Sequence, residues 1–147
     1  MQVAYVISDV KGKGKGVFAN QDIRQGALVW DLNSSKHHLF YSVENINDVV
    51  GDVEFIRVLQ VGVGHKSAFP NQILYLYDDS QYYNHSDSPN CGPMEDNKLS
   101  LYALRDIKKG EELTENYTKY SFPSWFLEEL QKFDMMPSYC NLPKQNI

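Results

Sequence analysis

The alternation of apolar and polar side chains predicts short β-strands along most of this chain. Stretches rich in valine, isoleucine, leucine and tyrosine, separated by glycine or aspartate turns, are typical of half-buried strands. Such stretches lie at residues 2–8, 17–20, 27–32, 72–77 and 99–104. The pattern therefore predicts a mostly β protein built from several short sheets.

Helical spacing is clearest near the end of the chain, at residues 124–133. Ser124 is a suitable N-cap, and Pro137 follows the predicted helix. The predicted apolar face consists of Phe126, Leu127, Leu130 and Phe133. Residues 141–147 carry no pattern and predict a loose tail.

Two further stretches have some helical character. A short helix is predicted within residues 41–50, with Ser42 as N-cap and Gly51 beyond its end. Residues 52–61 are ambiguous, because their apolar spacing fits a helix while their β-branched content fits a strand. A chain of 147 residues fits one domain. We expect a β domain over residues 1–120, a helix packed on it over 121–136 and the tail over 137–147.

Two turns in the sequence resemble each other. Asp22-Ile23-Arg24-Gln25-Gly26 and Asp106-Ile107-Lys108-Lys109-Gly110 share an Asp-Ile pair, a basic residue and a closing glycine. A common β-turn solution explains the likeness, because glycine supplies positive φ in such turns. An alternative is that the repeated turn is a shared feature of one family of folds, whose members carry it twice.

The charge and cysteine content narrow the classes of function. The net charge is −5, which disfavours binding of nucleic acid through its phosphates and favours a cationic partner. Cys91 and Cys140 form no CxxC pair, so a structural zinc site is not expected. The sequence has no apolar leader and no stretch long enough to span a membrane, which predicts a soluble intracellular protein, in the cytoplasm or nucleus.

Gly12-Lys13-Gly14-Lys15-Gly16-Val17-Phe18 is the first segment with candidate chemistry. Glycines allow a ligand to approach the backbone closely. The segment lacks the full GxxxxGK[ST] and GxGxxG patterns, so nucleotide binding is not indicated. An ordinary hairpin turn is the simpler interpretation of this segment alone.

The second segment is the polar stretch 82–91, which contains Asn84-His85-Ser86. It is too polar to predict a strand interior. His85 has no nucleophile or set of metal ligands at a suitable spacing, so a structural role is the simpler interpretation of that residue alone. Together with Lys109-Gly110-Glu111-Glu112-Leu113-Thr114-Glu115-Asn116-Tyr117 and the glycine segment, it resembles the SET-domain family of S-adenosylmethionine-dependent protein-lysine methyltransferases.

The resemblance covers roughly residues 6–117 and implies a SET-type β-clip fold with a threaded loop, a pseudoknot. It implies S-adenosylmethionine as cofactor, S-adenosylhomocysteine as product, and no metal. Tyr117 is the residue that it makes catalytic. The residues that it implies for cofactor binding are Lys13, Gly14, Lys15, Gly16, Phe18, Tyr82, Asn84, His85 and Tyr117.

Methyl transfer from a sulfonium to an amine explains these residue types. The amine must be neutral, and a dry aromatic channel lowers the pKa of lysine by desolvation. Tyrosine faces also attract the cationic form of lysine. The residues that we expect along the substrate channel are Tyr75, Tyr83 and Glu115, with Tyr77 and Tyr82 as further candidates.

The sequence departs from the family pattern close to Tyr117. Glu115 stands where many members carry an aromatic residue that sets how many methyl groups are added, so we expect it at the channel or its rim; a solvent-facing position is the alternative. Asn116 replaces the usual aspartate, and Thr118 replaces the usual glycine. No cysteine-rich segment follows Tyr117, and we expect the helix at 125–133 to cover the site in its place. An ordinary terminal helix is the alternative.

The resulting hypothesis is methylation of a lysine in a basic protein or peptide, without direct contact to nucleic acid or membrane. One alternative keeps the fold but makes it a catalytically silent peptide-binding module. Another is a small all-β binding protein with a polar loop. The sequence indicates neither the target lysine nor the oligomeric state. Compact viral and bacterial members of the family look like this chain, and a viral source would place the protein in a host cell.

Overall fold

The structure, a computed structural model, describes residues 1–48 and 53–136. Its strands, in chain order, are β1 (Tyr5–Val10), β2 (Gly14–Ala19), β3 (Leu28–Asp31), β4 (His38–Tyr41), β5 (Val63–Gly64), β6 (Ile73–Leu76), β7 (Asn84–His85), β8 (Cys91–Met94), β9 (Asn97–Ala103) and β10 (Glu112–Glu115). Its helices are α1 (Val53–Val61) and α2 (Ser124–Lys132). Single 3-10 turns lie at Leu32–Ser34, Ile46–Asp48, Asp79–Tyr82 and Tyr117–Lys119. The prediction of a mostly β fold with several short sheets and a C-terminal helix is confirmed.

The chain forms two compact units. Unit 1 comprises Met1–Lys36 and Tyr77–Tyr117, and unit 2 comprises His37–Leu76 and Thr118–Ile147. The domain limits expected from the sequence, at residues 120 and 136, stay a prediction.

Unit 1 contains two of the sheets. One has the strand order β1-β2-β10-β7, and the other has the order β3-β9-β8. Strands β1 and β2 form an antiparallel hairpin whose register runs from Tyr5 opposite Ala19 to Val10 opposite Gly14. The buried core of this unit consists of Val17, Ala19, Ile23, Val29, Tyr83, Cys91, Ala103, Ile107 and Leu113.

The two similar turns of the sequence face each other in unit 1. Ile23 and Ile107 exchange both backbone hydrogen bonds, each at 2.8 Å. The Asp22 carboxylate accepts from the Lys109 N–H at 2.9 Å, and the Asp106 carboxylate accepts from the Gln25 N–H at 2.8 Å. Both closing glycines have positive φ, 82° in the first turn and 91° in the second. The likeness of the two sequences therefore corresponds to a reciprocal pair of contacts between the turns.

Unit 2 contains the third sheet, with the order β4-β6-β5, and both α-helices. Helix α1 resolves the ambiguity of residues 52–61, because Phe55, Val58 and Leu59 have helical spacing and are all buried. Phe126 and Leu130 of α2 are also completely buried. The buried core of this unit consists of Tyr41, Ile46, Phe55, Val58, Leu59, Ile73, Tyr75, Phe126 and Leu130.

Several details of the sequence prediction are wrong. The N-cap of α2 is Pro123, and Ser124 is already its first helical residue. Where a helix was predicted within residues 41–50, Tyr41 ends strand β4, and the helical structure of the described part is limited to the 3-10 turn Ile46–Asp48. Gly51, Pro137, Cys140 and residues 141–147 lie outside the described residues. Strands β4, β5, β7, β8 and β10 were not predicted, because each has only two to four residues and shows no sustained alternation.

Candidate functional site

The glycine segment forms the turn and second strand of the β1–β2 hairpin. Gly12 and Gly14 both have φ of +79°, the left-handed conformation that favours glycine. A Cβ atom added to Gly14 would meet no atom within 4 Å, so the backbone is openly accessible there. At Gly16, a Cβ atom would lie 2.7 Å from Val10 Cγ2 and 2.7 Å from Glu112 Oε1. Gly14 thus exposes the backbone, whereas Gly16 makes room for β10.

Asn84 and His85 lie in a short parallel pairing between β7 and β10. Asn84 is opposite Thr114, and His85 is opposite Glu115. The stretch was expected to be too polar for a strand interior, and it contributes only the two-residue strand β7 at the edge of the sheet. The pairing is possible because the backbone supplies the contacts, while the side chains remain half-buried. It brings the polar stretch 82–91 beside the segment that ends at Tyr117.

Asn84 connects the hairpin to β10. Its Nδ2 donates to the carbonyl oxygen of Lys15 at 3.1 Å and to Glu112 Oε1 at 2.7 Å. A second connection comes from Lys13, whose Nζ donates to the carbonyl oxygen of His85 at 3.5 Å. The glycine segment and the Asn-His pair, predicted to share one site, are therefore neighbours in unit 1.

The aromatic residues near the hairpin differ in their exposure. The ammonium of Lys15 lies over the Tyr82 ring, 5.8 Å from its centroid, in the geometry of a cation–π contact. Phe18 of β2 pairs with Glu112 of β10 and is half-buried. Tyr77 is 43% exposed. Tyr75 belongs to the core of unit 2, and its predicted place in the substrate channel stays a prediction.

Tyr117 is held at both of its ends by the chain around β7. Its backbone N–H donates to His85 Nδ1 at 3.1 Å, and its hydroxyl donates to the carbonyl oxygen of Tyr83. The ring centroids of His85 and Tyr117 are 5.5 Å apart, and the angle between the two ring planes is 42°. The phenol keeps its proton, which makes the hydrogen bond to Tyr83, and the lone pairs of its oxygen can still accept hydrogen bonds. Tyr117 is therefore a fixed acceptor.

Tyr83 supplies this contact through its backbone. Its side chain is only 2% exposed, and its hydroxyl donates to Met1 Sδ at 3.3 Å. Burial raises the pKa of Tyr83 well above its ordinary value, with further contributions from Cys91, Glu115 and Asp78. The Tyr83 ring lies in the core of unit 1. The atom of Tyr83 that contacts Tyr117 is its backbone carbonyl oxygen.

Glu115 is half-buried at the end of β10. Its carbonyl oxygen accepts from the Ser86 N–H at 3.0 Å. Burial, with a smaller contribution from the Glu115 carboxylate, raises the pKa of the Cys91 thiol to about 12. The neutral thiol is therefore the stable form of Cys91 at neutral pH. The predicted position of Glu115 at the substrate channel stays a prediction.

Asn90 is a residue of this region for which no separate role was predicted. It is 3% exposed, and its amide bonds β10 on either side of Leu113. Its Nδ2 donates to the carbonyl oxygen of Glu112 at 2.7 Å, and its Oδ1 accepts from the Thr114 N–H at 2.9 Å. The sequence carries no local signal for this burial, and only the structure shows that the amide is buried and hydrogen-bonded.

Within residues 1–48 and 53–136, no cluster of three or more histidine, cysteine, aspartate or glutamate residues is placed to hold a metal ion. Over the same residues, neither helix has the length and apolar character needed to cross a membrane.

Comparison with known proteins gives a family match over most of the chain. Residues 14–118 match the model of the SET domain. Among curated proteins, a histone H3 lysine-4 specific histone-lysine N-methyltransferase of Emericella nidulans is 28% identical over 136 residues, which cover 84% of this chain. Those residues are 11% of that relative's length, so this chain spans only a small part of it.

Solved structures share the fold. The Neurospora SET domain protein DIM-5, a histone lysine methyltransferase, aligns with a TM-score of 0.54 at 23% identity, over 78% of this chain and 52% of that one. A structure of ctPRC2 in an autoinhibited conformation, bound to S-adenosylmethionine, aligns with a TM-score of 0.59 at 23% identity, over 91% of this chain and 17% of that one. At these identities the likeness establishes the SET-domain fold alone.

Proposed function

This chain belongs to the SET-domain family, and on that premise we propose that it transfers a methyl group from S-adenosylmethionine to the side-chain amine of a protein lysine. The observation that carries the proposal is the pairing of β7 with β10. It places Asn84 and His85 beside the segment that ends at Tyr117, with the glycine hairpin bonded to both.

The glycine hairpin fits a cofactor with an amino-acid end. Gly14 presents open backbone, and Lys13 next to it carries a positive charge suited to a carboxylate. The carbonyl oxygens of this region are acceptors suited to an ammonium group. Residues 13–16, Phe18, Tyr82, Asn84, His85 and Tyr117 would hold the cofactor, which supplies the electrophilic methyl group when bound.

Tyr117 would orient the reacting groups. Its hydroxyl donates to the Tyr83 carbonyl, and the lone pairs of the same oxygen are the kind of acceptor that suits an amine N–H or a polarised methyl group. Two anchors of Tyr117 come from the short stretch around β7, so its position depends in part on that stretch. Most of the rate acceleration would come from such positioning, and no strong base is needed.

The substrate would be a lysine in a basic protein segment. The net charge of −5 favours approach of a cationic partner. The tyrosine side chains and Glu115 are suited to holding the ammonium before it loses its proton. Because the relative from Emericella nidulans is named for lysine 4 of histone H3, core histones are the first substrates to test.

The test is a transfer assay with S-adenosylmethionine labelled in its methyl group. Purified protein is incubated with mixed core histones, with lysine-rich peptides and with cell lysate, and Tyr117→Phe is the matched inactive control. We expect label in protein bands with the wild type and little with the variant. Cofactor binding measured by calorimetry, combined with no transfer to any substrate, would instead indicate the catalytically silent peptide-binding module. Absence of cofactor binding would refute the proposal.

A further inference from the structure

His85 makes a hydrogen bond with each of its ring nitrogens. Nδ1 accepts from the Tyr117 backbone N–H at 3.1 Å. Nε2 lies 3.1 Å from Asp87 Oδ1, and a carboxylate oxygen can only accept. Both contacts are satisfied together only when the ring is neutral and carries its proton on Nε2. The surroundings therefore select one tautomer of His85.

The opposite tautomer and the protonated ring would both disturb Tyr117. Each of them carries a proton on Nδ1, which would then face the Tyr117 N–H, so that two donors would oppose each other. Three charged residues neighbour His85: Asp87, which contacts its ring, Glu115, which pairs with it in the sheet, and Lys13, whose ammonium contacts its carbonyl oxygen. Asp87 is the one bonded to the ring itself, through Nε2.

The same stretch of chain holds both ends of Tyr117. The carbonyl oxygen of Tyr83 accepts from its hydroxyl, and the ring of His85, two residues later, accepts from its N–H. Loss of the ring acceptor would leave the Tyr117 N–H without this partner and free the start of the 3-10 turn Tyr117–Lys119 to move. A small displacement of a positioned hydroxyl is enough to slow a reaction that depends on orientation.

We propose that His85, held in the Nε2–H tautomer by its contacts with Tyr117 and Asp87, is a positioning residue that fixes Tyr117 through its backbone N–H. Its effect on rate rests on the proposed function, while its tautomer does not. The Asp87 side chain is 87% exposed and that of His85 is 28% exposed. Water competes for Nε2 at such a site, so Asp87 contributes less than the bond to Tyr117.

The tautomer is measured on the protein without substrate or cofactor. Nitrogen chemical shifts of the imidazole rings, recorded by NMR, distinguish a protonated from an unprotonated nitrogen. The His85→Asn variant assigns the signal among the four histidines. We expect an unprotonated Nδ1 and a protonated Nε2 in the wild type. An Nδ1–H tautomer, or the averaged shifts of a free imidazole, would overturn the inference even if the protein is an active enzyme.

Rate measurements test the positioning role. His85→Leu removes the acceptor, whereas asparagine can place its Oδ1 near the position of Nδ1. We expect His85→Leu to lower kcat about tenfold, the factor for one interaction of about 1.4 kcal/mol, and His85→Asn to recover most of that loss. Asp87→Ala should lower kcat about twofold, and Asp87→Asn less. Equal kcat values for His85→Leu and the wild type would refute the role.

A control variant separates positioning from general folding. His65 Nδ1 also accepts from a backbone N–H, that of Ala68 at 3.1 Å, but in unit 2. His65→Leu should reduce stability to a similar extent without lowering kcat. An equal loss of kcat in His65→Leu and His85→Leu would contradict the inference. If the wild type transfers no methyl group at all, the proposed function fails, and the NMR result still decides whether the tautomer is held.

Discussion

Replacing Asn90 with alanine should destabilise the protein more than its size suggests. The side chain is 3% exposed, and its amide makes two hydrogen bonds to the backbone of β10. In Asn90→Ala the Glu112 carbonyl oxygen and the Thr114 N–H lose these partners where water has little access. Each buried group that loses its partner costs about 1–3 kcal/mol, so we expect a loss of about 3 kcal/mol in the free energy of unfolding.

Asn97→Ala is a matched control in the same unit. Asn97 is half-buried, and its amide makes two longer hydrogen bonds, 3.2 Å to the Tyr102 hydroxyl and 3.3 Å from the Leu99 N–H. Water can replace both partners, so we expect a loss of about 0.5–1 kcal/mol. Both changes remove the same atoms, so the difference between them isolates the contacts with β10.

Urea unfolding of both variants, followed by fluorescence, measures these free energies. Calorimetric titration with S-adenosylmethionine then tests the consequence for the site, because β10 leads directly to Tyr117. We expect weaker cofactor binding by Asn90→Ala than by Asn97→Ala. If the two variants lose equal stability, the contacts of Asn90 with β10 do not have the importance assigned to them.

Three further changes test other parts of the site. Tyr117→Phe should lose most turnover in the transfer assay, while its free energy of unfolding in urea falls by only about 1–2 kcal/mol. An unchanged methyl-transfer rate would contradict the role of Tyr117. Glu115→Phe should change the proportions of mono-, di- and trimethylated product seen by mass spectrometry, and unchanged proportions would favour the solvent-facing alternative. If α2 covers the site, Trp125→Ala should weaken cofactor binding several-fold. The variant keeps the buried Phe126 and Leu130 in place. An unchanged affinity for the cofactor would support an ordinary terminal helix.

The sequence predicted those parts of the fold that depend on local pattern. The strands over residues 27–32, 72–77 and 99–104 were found because apolar side chains are concentrated there, and α2 because its apolar residues have helical spacing. Strand β7 could not be found in this way. Its two residues are polar, and they form a strand only because β10, far away in sequence, offers a backbone to pair with.

The candidate site shows the same limit. The motifs predicted that Asn84, His85 and Tyr117 are neighbours, which is correct. This was possible because the resemblance of the motifs to a family carried information about long-range contacts. The hydrogen bonds that join them depend on tertiary structure and have no local signal. Asn90 shows this most clearly: one asparagine among polar residues gives no sign that it will be buried against β10. The partners of Tyr117, a carbonyl oxygen and one ring nitrogen, were equally invisible in the sequence.

The most direct measurement is mass spectrometry of a lysine peptide identified by the transfer screen. The peptide is incubated with S-adenosylmethionine and the wild-type protein or Tyr117→Phe, and fragmentation locates any added methyl group. We predict methylation of the lysine side-chain nitrogen by the wild type and little by the variant. Methylation of another residue type, or equal methylation by both proteins, would contradict lysine transfer at a site built around Tyr117.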